Sequence, residues 1–200
     1  MSGLDAIINR PRPSWIALFR RAPLNTLAKT MCSWRRLQSS IPQQPLRVVC
    51  TSDTHNSQPI IPPGDVLLHA GDLTQSGTFD ELQQTLDWLN RQPHGHVVAI
   101  AGNHDRLLDP DYAADQKSEL ERGALEWANV IYLQDSSCTI KLSNGRQVNI
   151  YGTPWTRKHG NWDFQFSPSA HPESANSATS HFSKIPVETD ILISHMPPRF

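Results

Sequence analysis

The chain is 200 residues long, 38% apolar and 18% charged, with a formal net charge of −1. That balance fits one ordinary globular domain plus an extension, and it excludes a general nucleic-acid binder, which needs a large positive excess. No apolar run reaches the length of a membrane span and no secretory h-region opens the chain. Cys32, Cys50 and Cys138 are too few and too scattered for a disulfide framework, so the expected location is a reducing one, the cytoplasm.

The near-neutral total hides an asymmetry. Residues 1–45 hold seven Arg and Lys against one acid, Asp5, or +6; the remainder holds eleven basic and eighteen acidic residues, or −7. The sequence therefore divides into a basic arm, 1–45, and a main domain, 46–200. Pro11, Pro13, Pro23, Pro42 and Pro45 punctuate the arm. Leu24, Leu27, Met31, Trp34 and Leu37 recur at helical spacing, with Pro23 in the first turn and Lys29, Arg35 and Arg36 on the same helix. Three readings stay open: a helix docked on the main domain, a membrane-surface contact through residues 11–38, or an Arg-rich mitochondrial targeting segment.

From residue 46, strand and helix patterns alternate. Leu46–Cys50 and Val66–Leu68 read as short strands, with Cys50 as a small buried hydrophobe and His69 as a hydrogen-bonded core histidine. Thr78 and Glu81 form a capping-box pattern ahead of a helix that presents Phe79, Leu82, Leu86 and Leu89 on one face. Val97–Ala101 is the next strand, and a second helix is expected over Tyr112–Ala128, with Trp88 and Trp127 as packing residues on these two helices. Val130–Leu133, Cys138–Leu142 and Val148–Gly152 follow as strands, with a hairpin turn at Asn144-Gly145. Residues 156–185 lose all periodicity. They read as a long polar loop with Trp162, Phe164 and Phe166 interspersed, placed to act as a lid or substrate-facing loop; His159, His171 and His181 fall in it. The pattern as a whole predicts α/β layering with an antiparallel portion.

Four apolar runs end in side chains that bind metals. The first delivers Asp53 and His55, the second Asp72, the third Asn103, His104 and Asp105, and the fourth, Ile191–Ser194, delivers His195. Open α/β sheets assemble active sites at such strand ends. Asp53 and His55 share one side if the strand continues through them. Asp72 follows a glycine and can bridge two cations; Asn103 adds a neutral oxygen and His195 an imidazole to a second ion. This mixed Asp/Asn/His set suits Mn, Fe or Zn rather than Ca, and it contains no thiolate. His104, next to Asn103, can face the substrate and protonate a leaving alkoxide, and Asp105 is placed to orient that imidazole.

The series Asp53-x-His55, Gly71-Asp72, Gly102-Asn103-His104-Asp105 and His195 resembles motifs one to four of the calcineurin-like metallophosphoesterase superfamily. Gly102–Asp105 is the most specific of these, with a chance expectation on the order of 10⁻³. The stretches Ser52–His55, Gly64–Asp72, Ile131–Asp135, Tyr151–Trp155 and Ser194–Pro198 resemble the branch of small eukaryotic metallophosphoesterase-domain-containing proteins. The resemblance implies a layered β-sandwich flanked by helices. It also implies two metal ions, one held by Asp53, His55 and Asp72 and the other by Asp72, Asn103 and His195, with His104 as leaving-group acid. A metal-bridging hydroxide would attack phosphorus in line. The expected substrate is a small phosphodiester such as a cyclic nucleotide; a protein phosphoserine/threonine substrate is the alternative.

One departure matters. The superfamily's fifth motif, Gly-His-x-His, has no counterpart in the sequence; the nearest mimic, His94-Gly-His96, reads as turn residues ahead of a strand. The expectation is therefore a C-terminally incomplete domain lacking its last strands, with a catalytically inactive binding or scaffold product as a further alternative.

Overall fold

The computed structural model describes residues 14–34, 45–112, 115–167 and 177–196. Pro11, Pro13, Arg35, Arg36, Leu37, Pro42 and His171 lie outside the described residues, as do the side chains of Met31 and Trp34. The chain divides into two compact units, Met1–Pro45 and Leu46–Phe200. In the first, helix α1 (Trp15–Arg21) is followed by α2 (Pro23–Trp34), which Pro23 opens from the position where its missing N–H costs nothing. Among the described residues no helix is long and apolar enough to cross a membrane.

The second unit is built around four parallel strands in the order β1 (Val48–Thr51), β2 (Val66–Ala70), β3 (His96–Ile100) and β4 (Val130–Tyr132). Parallel sheets are covered on both faces, and this explains why β2 and β3 read as continuous apolar runs rather than alternating ones. Leu67, Val97 and Ala99 face helix α3 (Phe79–Asn90) and meet Leu82, Leu86 and Leu89. Val66, Leu68, Val98 and Ile100 face a second sheet, where they meet Ile140, Val148, Ile150 and Ile193.

That second sheet has the order β5 (Ser136–Lys141), β6 (Gln147–Thr153) and β9 (Ile191–Ser194), with β5 antiparallel and β9 parallel to β6. The layers are helix, sheet and sheet, as the sequence predicts. Gly152 lets the two sheets approach, since a Cβ there would lie 2.5 Å from Leu133 and 2.6 Å from Ile100. Gly145, at φ +81°, turns the β5–β6 hairpin.

The capping box on α3 is formed: Thr78 Oγ1 accepts from Glu81 N–H and the Glu81 carboxylate accepts from Thr78 N–H. Other expectations need correction. The second helix of this unit, α4 (Gln116–Gly123), is shorter than Tyr112–Ala128 and buries none of its residues. Its sequence is charged on every side, so packing does not extend it, and Leu125 leaves the helix to enter the core. Trp127 therefore lies past the helix end, stacked on Tyr132 at 4.7 Å. Cys50 is exposed rather than buried, because β1 is the edge strand among the described residues of its sheet.

The 156–185 stretch is not structureless. β7 (Thr156–Arg157) pairs with β8 (Gln165–Phe166), and helix α5 (Ala178–Phe182) is capped by Ser177. The aromatic residues give the reason: Phe164 and Phe166 turn inward and are buried.

Candidate metal centre

Strand register sets the position of the centre. Ala70 pairs with Ile100 and Thr51 with His69, so β1, β2 and β3 all end at one sheet edge, and the loops after them emerge side by side. The ladder continues past β1 through backbone bonds, Asp53 N–H to Gly71 O at 2.9 Å and His55 N–H to Asp72 O at 3.1 Å. Yet the strand itself stops at Thr51, and Asp53, His55 and Asn56 take left-handed backbone angles of φ 53°, 43° and 67°. The alternation that would put Asp53 and His55 on one side does not apply. Asp53 instead reaches Asp72 and His195, while His55 reaches Asp72 and His104; within each trio the ligand atoms lie within 4.8 Å of one another.

Asp72 belongs to both trios. Its Oδ2 lies 3.6 Å from His55 Nε2 and its Oδ1 lies 3.3 Å from His195 Nε2. Asn103 Oδ1 is 3.2 Å from the same His195 nitrogen. Burial alone would push the Asp72 carboxyl up, but hydrogen bonds from His195 and from the His104 N–H (3.0 Å) outweigh it and hold its pKa below the ordinary value. His195 shows the converse: burial pushes it down, and the bonds to Asp72 and to the Ala70 carbonyl outweigh that and raise it.

Three imidazoles are oriented in the same way, which the sequence did not reveal. His195 Nδ1 lies 2.8 Å from Ala70 O, His55 Nδ1 lies 3.2 Å from Thr74 O, and His104 Nδ1 lies 2.8 Å from Gln75 O. A carbonyl only accepts, so each Nδ1 must carry the proton and donate it. Nε2 is then the nitrogen each ring leaves free: a lone pair when the imidazole is neutral, as metal-ligating histidines require, and a second N–H donor when it is protonated, as in the bond from His195 to Asp72. The Nε2 atoms of His55 and His195 both face Asp72.

The glycines form a cradle that any side chain would fill. A Cβ at Gly71, where φ is +96°, would lie 2.6 Å from His195 Nδ1, and one at Gly102 would overlap the Asp72 carboxylate. Left-handed angles at three non-glycine candidate ligands (Asp53, His55 and Asp72, the last at φ 52°) are backbone strain of the kind that clusters at functional sites. Four oxygen and nitrogen side chains, Asp53, His55, Asn103 and His195, gathered around the Asp72 carboxylate fit divalent cations.

A family model for the calcineurin-like phosphoesterases matches residues 46–199. The chain belongs to that family. Relatives of this calcineurin-like phosphoesterase include the human metallophosphoesterase domain-containing protein 1, 36% identical over 76% of the chain and 48% of the relative. A UPF0046 protein of Caenorhabditis elegans is 30% identical over 94% of the chain and 50% of that protein. A protein of Emericella nidulans named probable rhamnogalacturonate lyase C is 38% identical over 98% of the chain but only 18% of its own length. The chain thus spans about half or less of the length of each of these three relatives.

Within the phosphoesterase site, Asp105 does something other than the sequence predicts. Its carboxylate accepts from Gly102 N–H (2.8 Å), Leu73 N–H (3.1 Å), Thr74 N–H (2.9 Å) and Thr74 Oγ1–H (2.7 Å), and it makes no hydrogen bond to the His104 ring. It is fully buried, and burial raises its pKa to about 6 against the pull of those bonds. Asp105 therefore braces the loops that carry Asp72 and Asn103, and the Gln75 carbonyl orients His104. The physical reason is local: three backbone N–H groups and the Thr74 hydroxyl already fill the Asp105 carboxylate, and the Gln75 carbonyl takes the His104 Nδ1 proton.

The other histidines have structural places. His69 is buried with Nε2 3.0 Å from Thr54 Oγ1, as expected of a core histidine. His94 and His96 bond to the Pro62 and Lys141 carbonyls, and His96 begins β3, at the end opposite the centre. His181, from the polar stretch, is buried on Trp155 (4.0 Å) and lies 3.2 Å from the Asp135 carboxylate, which also accepts from Thr153 and Trp155. Trp162 stacks on His104 at 4.1 Å; its only signal in the sequence was an aromatic residue in a polar stretch.

Proposed function

We propose that this chain is the metal-binding part of a phosphodiesterase that hydrolyses a small phosphodiester, such as a cyclic nucleotide. The observation that carries the reading is Asp72, with one carboxylate oxygen toward His55 and the other toward His195. Two cations, Mn²⁺ being the favoured species, would share it. His55 would serve one, Asn103 and His195 the other, with Asp53 on the His195 side of the carboxylate. Bound divalent cations supply Lewis-acid neutralisation of the phosphoryl oxygens and acidify water at neutral pH.

The chain's own groups supply the rest. Nδ1–H of His104 is committed to the Gln75 carbonyl, so Nε2 is the edge left for the substrate. As an imidazolium, protonated on both nitrogens, His104 would give its Nε2 proton to one leaving oxygen and return to the neutral ring. Asp105 holds the Leu73–Thr74 and Gly102 backbones together, so that the ligands and the acid keep their spacing.

The test is hydrolysis of 2′,3′-cyclic AMP and of bis(4-nitrophenyl) phosphate by protein loaded with Mn²⁺. Turnover that chelation abolishes and Mn²⁺ restores is expected. Absence of turnover in protein shown to hold the metal would overturn the catalytic reading for this chain.

A further inference from the structure

Trp162 lies beside the proposed acid, in a segment that is fastened in place. Its indole stacks on the His104 ring with centroids 4.1 Å apart and planes 29° apart, while His55 meets the same imidazole edge-on at 4.6 Å. The neighbouring Asp163 accepts from Arg106 Nε at 2.8 Å, and its N–H donates to Asn103 O at 3.3 Å. Phe164 N–H donates to the Asp109 carboxylate at 2.5 Å. The Trp162 segment is thus tied to the same loop that carries Asn103 and His104.

Trp162 also lines a cavity of about 430 Å³, together with the aromatic residues Tyr112 and Trp155, with Lys158 and Asn161, and with the acidic residues Asp109, Asp111 and Asp163. Tyr112 is held by the Arg106 guanidinium, 4.3 Å over its ring. Trp162 itself is 43% exposed, so part of its surface remains available to a ligand. A volume of this size admits a ring system, and Tyr112, Trp155 and Trp162 give it aromatic walls of the kind flat organic ligands bind; among its polar residues, Asp109 and Asp163 are already engaged by Phe164 N–H and Arg106.

We infer that Trp162 and this cavity form the leaving-group subsite, and that it takes a phosphoester whose leaving alcohol carries a flat ring. The inference rests on the phosphodiesterase reading for the position of the phosphorus, but the recognition step belongs to the cavity alone. His104 Nε2 is the edge from which the leaving oxygen takes its proton. A group attached to that oxygen emerges past the indole that covers the imidazole face. An aliphatic alcohol gains only contact there, whereas a ring gains stacking, with Lys158 and Asn161 available to its polar substituents.

The deciding experiment uses metal-free protein, so that it does not depend on hydrolysis. Indole N–H signals are followed by NMR during titration with 4-nitrophenol and, separately, with 1-propanol; the Trp162 signal is identified by its loss in Trp162→Phe. A saturable shift of that signal with 4-nitrophenol, and none with 1-propanol, is expected. A signal unmoved by either, or moved alike by both, overturns the subsite. Protein that shows the shift but turns over no phosphodiester retains the subsite and loses the hydrolytic reading. A hydrolytic protein whose Trp162 signal stays still loses the subsite alone. In turnover, Trp162→Leu raises KM for an aryl-leaving ester about tenfold, and Trp162→Phe recovers most of that.

Discussion

Asp72 Oδ1 and His195 Nε2 lie 3.3 Å apart, although one follows a strand of the four-stranded parallel sheet and the other a strand of the second sheet. The candidate centre therefore joins the two layers of the domain. A cation that binds the folded state alone stabilises it by about 2.7 kcal/mol at a hundredfold excess over Kd. For a domain of this size that raises Tm by roughly 5–10 °C. Calorimetry with and without Mn²⁺ checks this, and Asp72→Ala removes the increment.

His104 is the group to separate from the ligands, because its ring also lies within reach of His55 and Asp72. If it acts as leaving-group acid, His104→Ala lowers kcat about 10²- to 10⁴-fold for an alkoxide-leaving substrate. The loss is much smaller for 4-nitrophenolate, which departs without a proton. Metal content stays at the wild-type level. Parallel kinetics on the two substrate types, with metal analysis of both proteins, provides the check.

Gly102 has no room for a side chain: a Cβ there would overlap Asp72 and lie 2.8 Å from His195 Cε1. Gly102→Ala should cost roughly 1–3 kcal/mol and lower metal affinity together, as overpacking at a fixed backbone does. Gly123→Ala is the control, since nothing lies within 4 Å of a Cβ built there. It should be neutral or stabilise by up to about 1 kcal/mol. Thermal melts and metal content of the two variants distinguish the site effect from a general one.

His69 makes stability depend on pH. Burial lowers its pKa from 6.5 to about 4, against the attraction of Asp53. Between those values the unfolded chain binds more protons than the folded one, so stability rises with pH across the window. The contribution is complete above about pH 6.5 and is lost as pH falls through 4, a span of about 3 kcal/mol. Urea unfolding of the wild type and His69→Gln at pH 4 to 7 should show a shallower slope in the variant.

Much of this was legible in the sequence because the physics was local. The runs at 66–68 and 97–101 had to be strands covered on both faces, and Thr78 with Glu81 had to cap a helix. In the sequence Asp72 follows a glycine, and a Cβ at Gly71 would lie 2.6 Å from His195 Nδ1. Long-range partners were not legible. The carbonyls of Ala70, Thr74 and Gln75 that orient three imidazoles carry no side-chain signature. Asp105 was assigned to its sequence neighbour but bonds to a loop some thirty positions away. Asp53 and His55 followed strand alternation on paper, whereas their left-handed backbone separates them between two trios.

The central claim is that one carboxylate, Asp72, is shared by two cations, and counting the metal tests it most directly. Mn²⁺ titration followed by electron paramagnetic resonance on wild type and Asp72→Ala gives the stoichiometry and the coupling between ions. Two equivalents with a spin-coupled signal in the wild type, and at most one uncoupled equivalent in Asp72→Ala, are predicted. A single uncoupled ion in the wild type, or two ions retained without Asp72, would contradict the account.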